Sequence, residues 1–102
     1  MAKENIIFNE VLGPVEKTIS YQIINNELYF IETSKYVDPK ESMFKDNTKL
    51  TYKLDSDSTK KLLELLKEKE LVKKFSTKDG FYEFREFIDA NGINHSFISE
   101  DI

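Results

Sequence analysis

The clearest pattern in the chain is an alternation of apolar and polar residues on both sides of Asn25-Asn26. Asn tolerates positive φ better than most residues do, so this pair fits a two-residue type I′ turn between antiparallel strands. Such a turn pairs Ile24 with Glu27 and predicts strands at 17–24 and 27–33. The apolar residues that then share one face are Ile19, Tyr21, Ile23, Leu28 and Phe30. A shift of the strand pairing by one residue would distribute these apolar side chains over both faces of the sheet, so the pattern also predicts the register.

Two more strands are predicted around this hairpin. Residues 5–12 are rich in Ile, Val and Phe and end at the Gly13-Pro14 break. Residues 48–54 alternate between apolar and polar positions, which is typical of a half-buried strand. The polar connection at 34–47 is longer than most loops in compact domains. We expect four of its side chains to anchor it to the domain, namely Tyr36, Val37, Met43 and Phe44.

After residue 54 the apolar period changes from two residues to that of a helix. The segment 55–58 offers several N-cap residues, and its acids suit the positive end of a helix. A helix is therefore predicted from about Thr59 to Lys69, or as far as Phe75. Its inner stripe consists of Leu62, Leu65, Leu66 and Val72.

A second helix is predicted over 79–90, where apolar residues recur with a helical period. Its inner residues are Phe81, Phe84, Phe87 and Ile88. Residues 76–79 resemble a capping box ahead of it. Asn91-Gly92 fits a Schellman ending, in which Gly92 takes the left-handed position and Ile93 folds back onto the helix. The alternative for this segment is a hairpin that turns at Asn91-Gly92.

The last strand is predicted from Ile93 to Ser99, so the element order is β-β-β-β-α-α-β. Four strands before the helices imply an α+β domain with an antiparallel sheet of four to five strands and two helices packed on one face. At 102 residues the chain fits a single domain that spans residues 1–102. The last strand must return to the sheet, either at an edge or between other strands.

The charge pattern argues against a nucleic acid as partner. The net charge is −4, and Arg85 is the only arginine among 15 cationic residues. Arginine is the usual residue for bidentate contacts with phosphates and bases. Residues 60–80 contain seven Lys and four acids, which a solvated helix face explains, whereas residues 81–102 contain one Arg and five acids.

Composition also limits the compartment and the available chemistry. The chain has no cysteine, so it forms no disulfide and offers no thiolate as a ligand or nucleophile. Its start has no apolar leader segment, and no run approaches 18 apolar residues. We therefore expect a cytoplasmic protein that does not engage a membrane.

The sequence contains no set of residues that indicates catalysis or a bound metal. His95 is the only histidine, and we expect it to be a half-buried strand residue. Its neighbour Ser96 points to the opposite face of the strand, so the two do not form a dyad. Asp55, Asp57 and Asp79 fit helix caps, and no calcium-loop spacing follows them. We expect no catalytic residue, no cofactor and no metal site.

The outer face of the hairpin is the best candidate for a partner surface. Two helices cover only one face of a single sheet. Tyr29 and Ile31 are therefore predicted to be at least partly exposed, or buried only by another chain. Aromatic and apolar side chains of this kind anchor protein interfaces. The predicted partner-binding residues are Tyr29, Ile31, Tyr36 and Phe44.

Residues 50–99 resemble a group of small uncharacterised bacterial proteins that often occur as solitary domains near mobile or toxin-linked genes. The segments that carry the resemblance are Leu54 to Leu63, Phe75 to Phe81, Phe84, Phe87, Asn91 to Ile93 and Phe97. These motifs are caps, turns and core positions. The resemblance therefore implies a fold and a binding role, and it brings no catalytic residue.

These observations predict a non-enzymatic protein-interaction domain, of the inhibitor or immunity type, that binds another protein. Two alternatives belong to other classes. One is a small ligand-binding domain or minor enzyme with its site in the 34–47 connection. The other is a homodimeric structural module, in which the partner is a second copy of the chain.

Overall fold

The computed structural model describes residues 4–37 and 47–102 of the chain. The elements of this part are β1 (Asn5–Leu12), β2 (Val15–Ile24), β3 (Glu27–Tyr36), β4 (Thr48–Leu54), α1 (Ser56–Leu65), α2 (Glu68–Lys74), α3 (Gly80–Ala90) and β5 (Ser96–Asp101). They confirm the α+β class, the antiparallel sheet and the succession of strands, helices and a last strand. The first predicted helix is divided in two.

The sheet of the described residues follows the order β1-β2-β3-β4-β5, and every neighbouring pair is antiparallel. Its central strand β3 pairs with β2 in the predicted register, with Ile24 opposite Glu27. Asn25 has a φ of 52° and Asn26 a φ of 66°, as a type I′ turn requires. The hairpin prediction is therefore confirmed. The last strand, β5, takes the edge position beside β4.

The strand β3 is longer than predicted, which changes the connection that follows it. Strand pairing continues to Tyr36, which lies opposite Val15. Tyr36 therefore belongs to the sheet and not to a loop. Val37 is exposed, so its side chain does not anchor the connection as predicted. The other two predicted anchors, Met43 and Phe44, lie outside the described residues.

The first predicted helix is wrong beyond Leu65, because the next two residues are extended. Leu66 has φ −136° and ψ 119°, and Lys67 has φ −68° and ψ 160°. Leu62 and Leu71 are both fully buried in one core. At about 3.6 residues per turn, an unbroken helix would place these two side chains on opposite sides. The break is what allows α1 and α2 to bury both.

The start of α1 joins the helix to the sheet. Asp55 is its N-cap, and the Asp55 carboxylate accepts a hydrogen bond from the Ser58 N–H at 2.8 Å. This hydrogen bond lowers the pKa of the Asp55 carboxyl. The buried Thr59 hydroxyl accepts from the Leu28 N–H at 2.9 Å and donates to the Leu54 carbonyl oxygen at 3.2 Å. One hydroxyl therefore connects α1 with the ends of β3 and β4.

The core is an aromatic cluster between the sheet and the helices. Phe30 on β3 lies at its centre, and its ring is parallel to that of Phe84 on α3 at a centroid distance of 3.9 Å. Phe30 also meets Phe75, which follows α2, edge-on at 5.8 Å. Gly80 permits this arrangement, because a Cβ at that position would overlap the Phe75 carbonyl oxygen. The first turn of α3 therefore rests directly on the backbone that ends α2.

The two ends of α3 differ in how well the sequence predicted them. The capping box at 76–79 does not form, because the helix begins later and Asp79 is an N-cap whose side chain makes no capping hydrogen bond. The Schellman ending is confirmed. Gly92 has a φ of 64°, and the Ile93 N–H donates to the Ile88 carbonyl oxygen at 2.9 Å. The alternative hairpin at this position is excluded.

A buried tyrosine links β2 to α2. The Tyr21 hydroxyl donates to the Glu68 carboxylate at 2.9 Å. Burial and, to a smaller extent, this hydrogen bond raise the pKa of Tyr21 from its ordinary value of 10.0 to about 12. The folded chain holds this proton more tightly than the unfolded chain does. The stabilisation is therefore fully present below the ordinary pKa and is lost as the pH rises toward the folded value.

Replacing Thr59 with Val should lower the free energy of unfolding by about 2 kcal/mol, because two buried backbone groups would lose their partner. Thr59→Ser keeps the hydroxyl and should recover most of this loss. Denaturant unfolding of the wild type and both variants measures the difference. Equal stability of Thr59→Val and the wild type would show that the hydroxyl does not hold helix and sheet together.

The difference in stability between the wild type and Tyr21→Phe should shrink as the pH rises from about 9 to about 12. Ionised Tyr21 would place a second negative charge beside Glu68, so the wild type loses its advantage over this range. Urea unfolding of both proteins at each pH gives the difference, and the other ionisations cancel in it. A constant difference would mean that folding does not perturb the Tyr21 proton.

Candidate interaction surfaces

The four predicted partner-binding residues are found in different surroundings. Tyr29 is half-buried on the outer face of the sheet, and the Lys53 ammonium lies 5.7 Å from its ring centre. Tyr36 is half-buried at the end of β3, and its N–H donates to the Asn47 side-chain oxygen at 2.9 Å. Phe44 lies outside the described residues. Partner contact by these three residues stays a prediction.

The prediction that Ile31 is exposed is wrong, because only 4% of its surface is accessible in the single chain. Ile31 lies in the central strand, with Ser20 of β2 and Thr51 of β4 directly opposite it. Both of these residues are buried as well. The prediction counted only the helices as cover for the sheet, yet Ile31 is buried together with these two neighbours on the outer face. A side chain with so little accessible area offers no anchor to a partner.

Ile31→Lys should lower the free energy of unfolding by about 3 kcal/mol or more, because it places an unpaired ammonium in a buried position. Tyr29→Lys, on the same face of the same strand, should cost about 1 kcal/mol or less because Tyr29 keeps contact with solvent. Thermal melting of the two variants compares them directly. Equal melting temperatures would contradict the burial of Ile31.

The most accessible strand among the described residues is β5. All six of its residues are exposed, and Phe97 and Ile98 present 54% and 38% of their surfaces. Phe97 lies opposite Tyr52 on the helix side of the sheet, and Ile98 lies opposite Thr51 on the outer side. Each face of this strand therefore offers one large apolar side chain to solvent.

The backbone of β5 has hydrogen-bonding groups that face away from β4. The Ile102 N–H donates to the Asn47 carbonyl oxygen at 2.9 Å, which fixes the direction of the backbone at the end of the strand. Successive N–H groups along a strand point in alternate directions. Those of Phe97, Ser99 and Asp101 therefore point away from β4. We call these three residues the β5 edge, to which a further strand can pair.

The opposite edge of the sheet, β1, is less suited to pairing. A bulge at Ile7 shifts its register against β2 between Ile6 and Phe8. Bulges bend a strand and are a common protection of sheet edges. By contrast, β5 pairs with β4 in an unbroken register. Of the two edges in the described sheet, β5 is the one without a bulge.

A small cleft of about 170 Å³ lies between β5 and α3, lined by Tyr52, Arg85, His95 and Phe97. His95 meets the Tyr52 ring edge-on at a centroid distance of 5.3 Å, and Phe97 lies 5.3 Å from the same ring. Burial raises the pKa of the Tyr52 hydroxyl. The cleft is smaller than the roughly 300–1,000 Å³ of typical small-molecule sites. It is better matched to one side chain of a bound segment.

Asp89 lies between the arginine and the histidine of this cleft. Its carboxylate lies 3.5 Å from Arg85 Nε and 3.9 Å from His95 Nδ1. Arg85 and Asp89 are four residues apart on α3, which is a spacing that the sequence shows. Their approach to His95 depends on the turn at Gly92, which brings the chain back beside the helix. His95 is half-buried, as predicted, but the prediction that it belongs to a strand is wrong, because β5 begins at Ser96.

A larger and more open groove of about 550 Å³ lies between the hairpin turn and α1. The residues that line it include Ile23 and Leu63, two lysines, Lys60 and Lys67, and the acids Asp57 and Glu64. Because both signs of charge are interspersed there, the groove favours neither an anion nor a cation. Its lysines are exposed, which agrees with the solvated helix face that the sequence predicts.

Residues 4–37 and 47–102 contain no group of three or more His, Asp and Glu side chains that could hold a metal ion. Within the same residues, every helix is too short or too polar to cross a membrane.

Comparisons of the chain with models of protein families, with curated proteins and with solved structures found no match. The resemblance of residues 50–99 to small bacterial proteins therefore stays an expectation. The functional assignment depends on the geometry of the surfaces described above.

Proposed function

We propose that the chain is a non-enzymatic protein-interaction domain of the inhibitor or immunity type, which takes up an extended segment of another protein at the β5 edge. The observation that carries the proposal is the exposure of all six residues of β5 together with the regular backbone at its outer edge. Natural proteins usually protect such an edge by charge, proline, a bulge or a covering element, and residues 96–99 of β5 carry no charge, proline or bulge. An unprotected edge of this kind is a surface that a partner strand can use.

Strand addition requires no deep pocket in the domain that binds. The main-chain hydrogen bonds of an added strand supply affinity, and alternate side chains supply specificity. Here one face of the added strand would meet Phe97 and the cleft beside Arg85, and the other face would meet Ile98. Apolar and aromatic side chains at the centre of a contact, surrounded by polar residues, are the usual arrangement of interface anchors.

Inhibition follows from the same geometry. A partner segment that is held as an additional strand of this sheet is fixed in an extended conformation and is withdrawn from its own protein. If that segment belongs to the partner's active surface, binding prevents its use without any chemical step. This mechanism requires only a rigid edge, and the antiparallel pairing of β5 with β4 supplies that rigidity.

Ser99→Pro should abolish or reduce partner capture by about tenfold or more, because it removes an N–H at the centre of the β5 edge. It leaves the pairing with β4 intact, since that N–H points away from β4. The measurement is quantitative capture from a lysate of the source cell on immobilised protein. The captured protein is then assayed for activity with and without an equimolar amount of the wild-type chain.

Val11→Pro is the matched control for this experiment. Val11 lies opposite Glu16, next to the pair that closes the β1–β2 turn, so its N–H also points away from the sheet. It should retain capture, because β1 is the other edge. Thermal melting shows whether both variants are folded. Capture that is unchanged in a folded Ser99→Pro variant would contradict the proposed function.

A further inference from the structure

We propose that the segment taken up at the β5 edge is basic, with apolar side chains that face Phe97 and Ile98 and Lys or Arg side chains that face Glu100 and Asp101. This inference rests on the proposed function and adds the chemistry of the partner. It follows from three properties of β5, which are its charge, the order of its residues and the alternation of its side chains.

The charge of the edge is negative at the end of β5. Glu100 and Asp101 are both exposed, and neither forms an ion pair with another residue of the described part of the chain. Near the start of the strand, Asp89 lies beside Arg85 and His95 and offsets the charge of the arginine. Lys49 of β4 lies opposite Glu100 but forms no ion pair with it, and Asp101 lies opposite Thr48, so both carboxylates stay open to cations of a partner. Complementary charge on the partner would steer association and fix the register.

The order of residues in β5 sets the order of side chains in the added strand. Phe97 and Asp101 lie on the helix side of the sheet, and Ile98 and Glu100 lie on the outer side. A strand paired with β5 places its own side chains on the same two faces. The fitting segment therefore has two adjacent apolar residues, one spacer opposite Ser99, and two adjacent basic residues.

A second copy of the chain fits this edge less well. Two β5 strands would each bring the sequence Ser-Phe-Ile-Ser-Glu-Asp, which contains no lysine or arginine. In the register centred on Ser99, an antiparallel pair would set Phe97 opposite Asp101 and Ile98 opposite Glu100, so neither the apolar nor the acidic side chains would meet a complementary one. The charge of β5 therefore favours a different, basic protein over a homodimer.

Synthetic peptides test this chemistry directly. One contains Lys-Lys-Thr-Val-Val and its match contains Glu-Glu-Thr-Val-Val, each also made in the reverse order so that both strand directions are sampled. Binding is followed by the backbone amide shifts of Phe97, Ser99 and Asp101 in NMR titrations at low and at physiological salt. The lysine peptide should bind the wild type about tenfold more tightly than the glutamate peptide, and less tightly as salt rises.

The chain with Glu100→Lys and Asp101→Lys together should reverse this preference. Equal binding of both peptides, abolished by Ser99→Pro, would overturn the basic partner and leave the proposed function standing. Failure of every peptide to shift the three amides would overturn both. Sedimentation of the wild type as a dimer that Ser99→Pro dissociates would also overturn the inference, because the occupant would then be a second copy.

Discussion

The contact between Phe30 and Phe84 is the interaction on which the arrangement of the domain depends. Phe30 lies in the central strand, so its position is fixed by pairing on both sides. Its ring meets α3 through Phe84 and the end of α2 through Phe75. A single side chain therefore sets the distance of two helices from the sheet. Burying aromatic rings contributes more apolar area per residue than aliphatic side chains do, which suits a chain of this length.

Two smaller features make this contact possible. The Thr59 hydroxyl holds the start of α1 between the ends of β3 and β4, where the ladder would otherwise leave polar groups without partners. Gly80 lets α3 begin against the Phe75 carbonyl, so that Phe84 can reach Phe30 one turn later. The hydrogen bonds of Thr59 at one end of the core and the close backbone approach at Gly80 at the other therefore support the same contact between Phe30 and Phe84.

The sequence predicted the features that depend on local geometry. The two left-handed asparagines determined the hairpin register, and Gly92 determined the end of α3. The sequence also contains a signal for the helix break at Leu66, because Leu62 and Leu71 cannot lie on one face of an unbroken helix. However, Leu65, Leu66 and Val72 form an apolar stripe with Leu62 on an unbroken helix, and this stripe predicts that the helix continues through Leu66.

The features that depend on neighbouring strands were not predictable from one sequence. Ile31 is buried between Ser20 of β2 and Thr51 of β4, and the alternation within a hairpin does not encode which strand lies beside it. The same is true of β5, whose exposure follows from its edge position and not from its residues. The meeting of Arg85, Asp89 and His95 required both the turn at Gly92 and the edge position of β5. The sequence therefore predicts a candidate surface on the hairpin, whereas the most exposed surface in the structure is the last strand.

The bulge in β1 has a consequence for the size of any assembly that this sheet forms. A sheet with two equivalent receptive edges can join copies end to end without limit, which is the route to fibres. In the described sheet, the kink at Ile7 makes one edge a poor template, while the other is regular. If a partner strand adds at β5 as proposed, we expect growth to stop after that single step and the complex to have a stoichiometry of one to one.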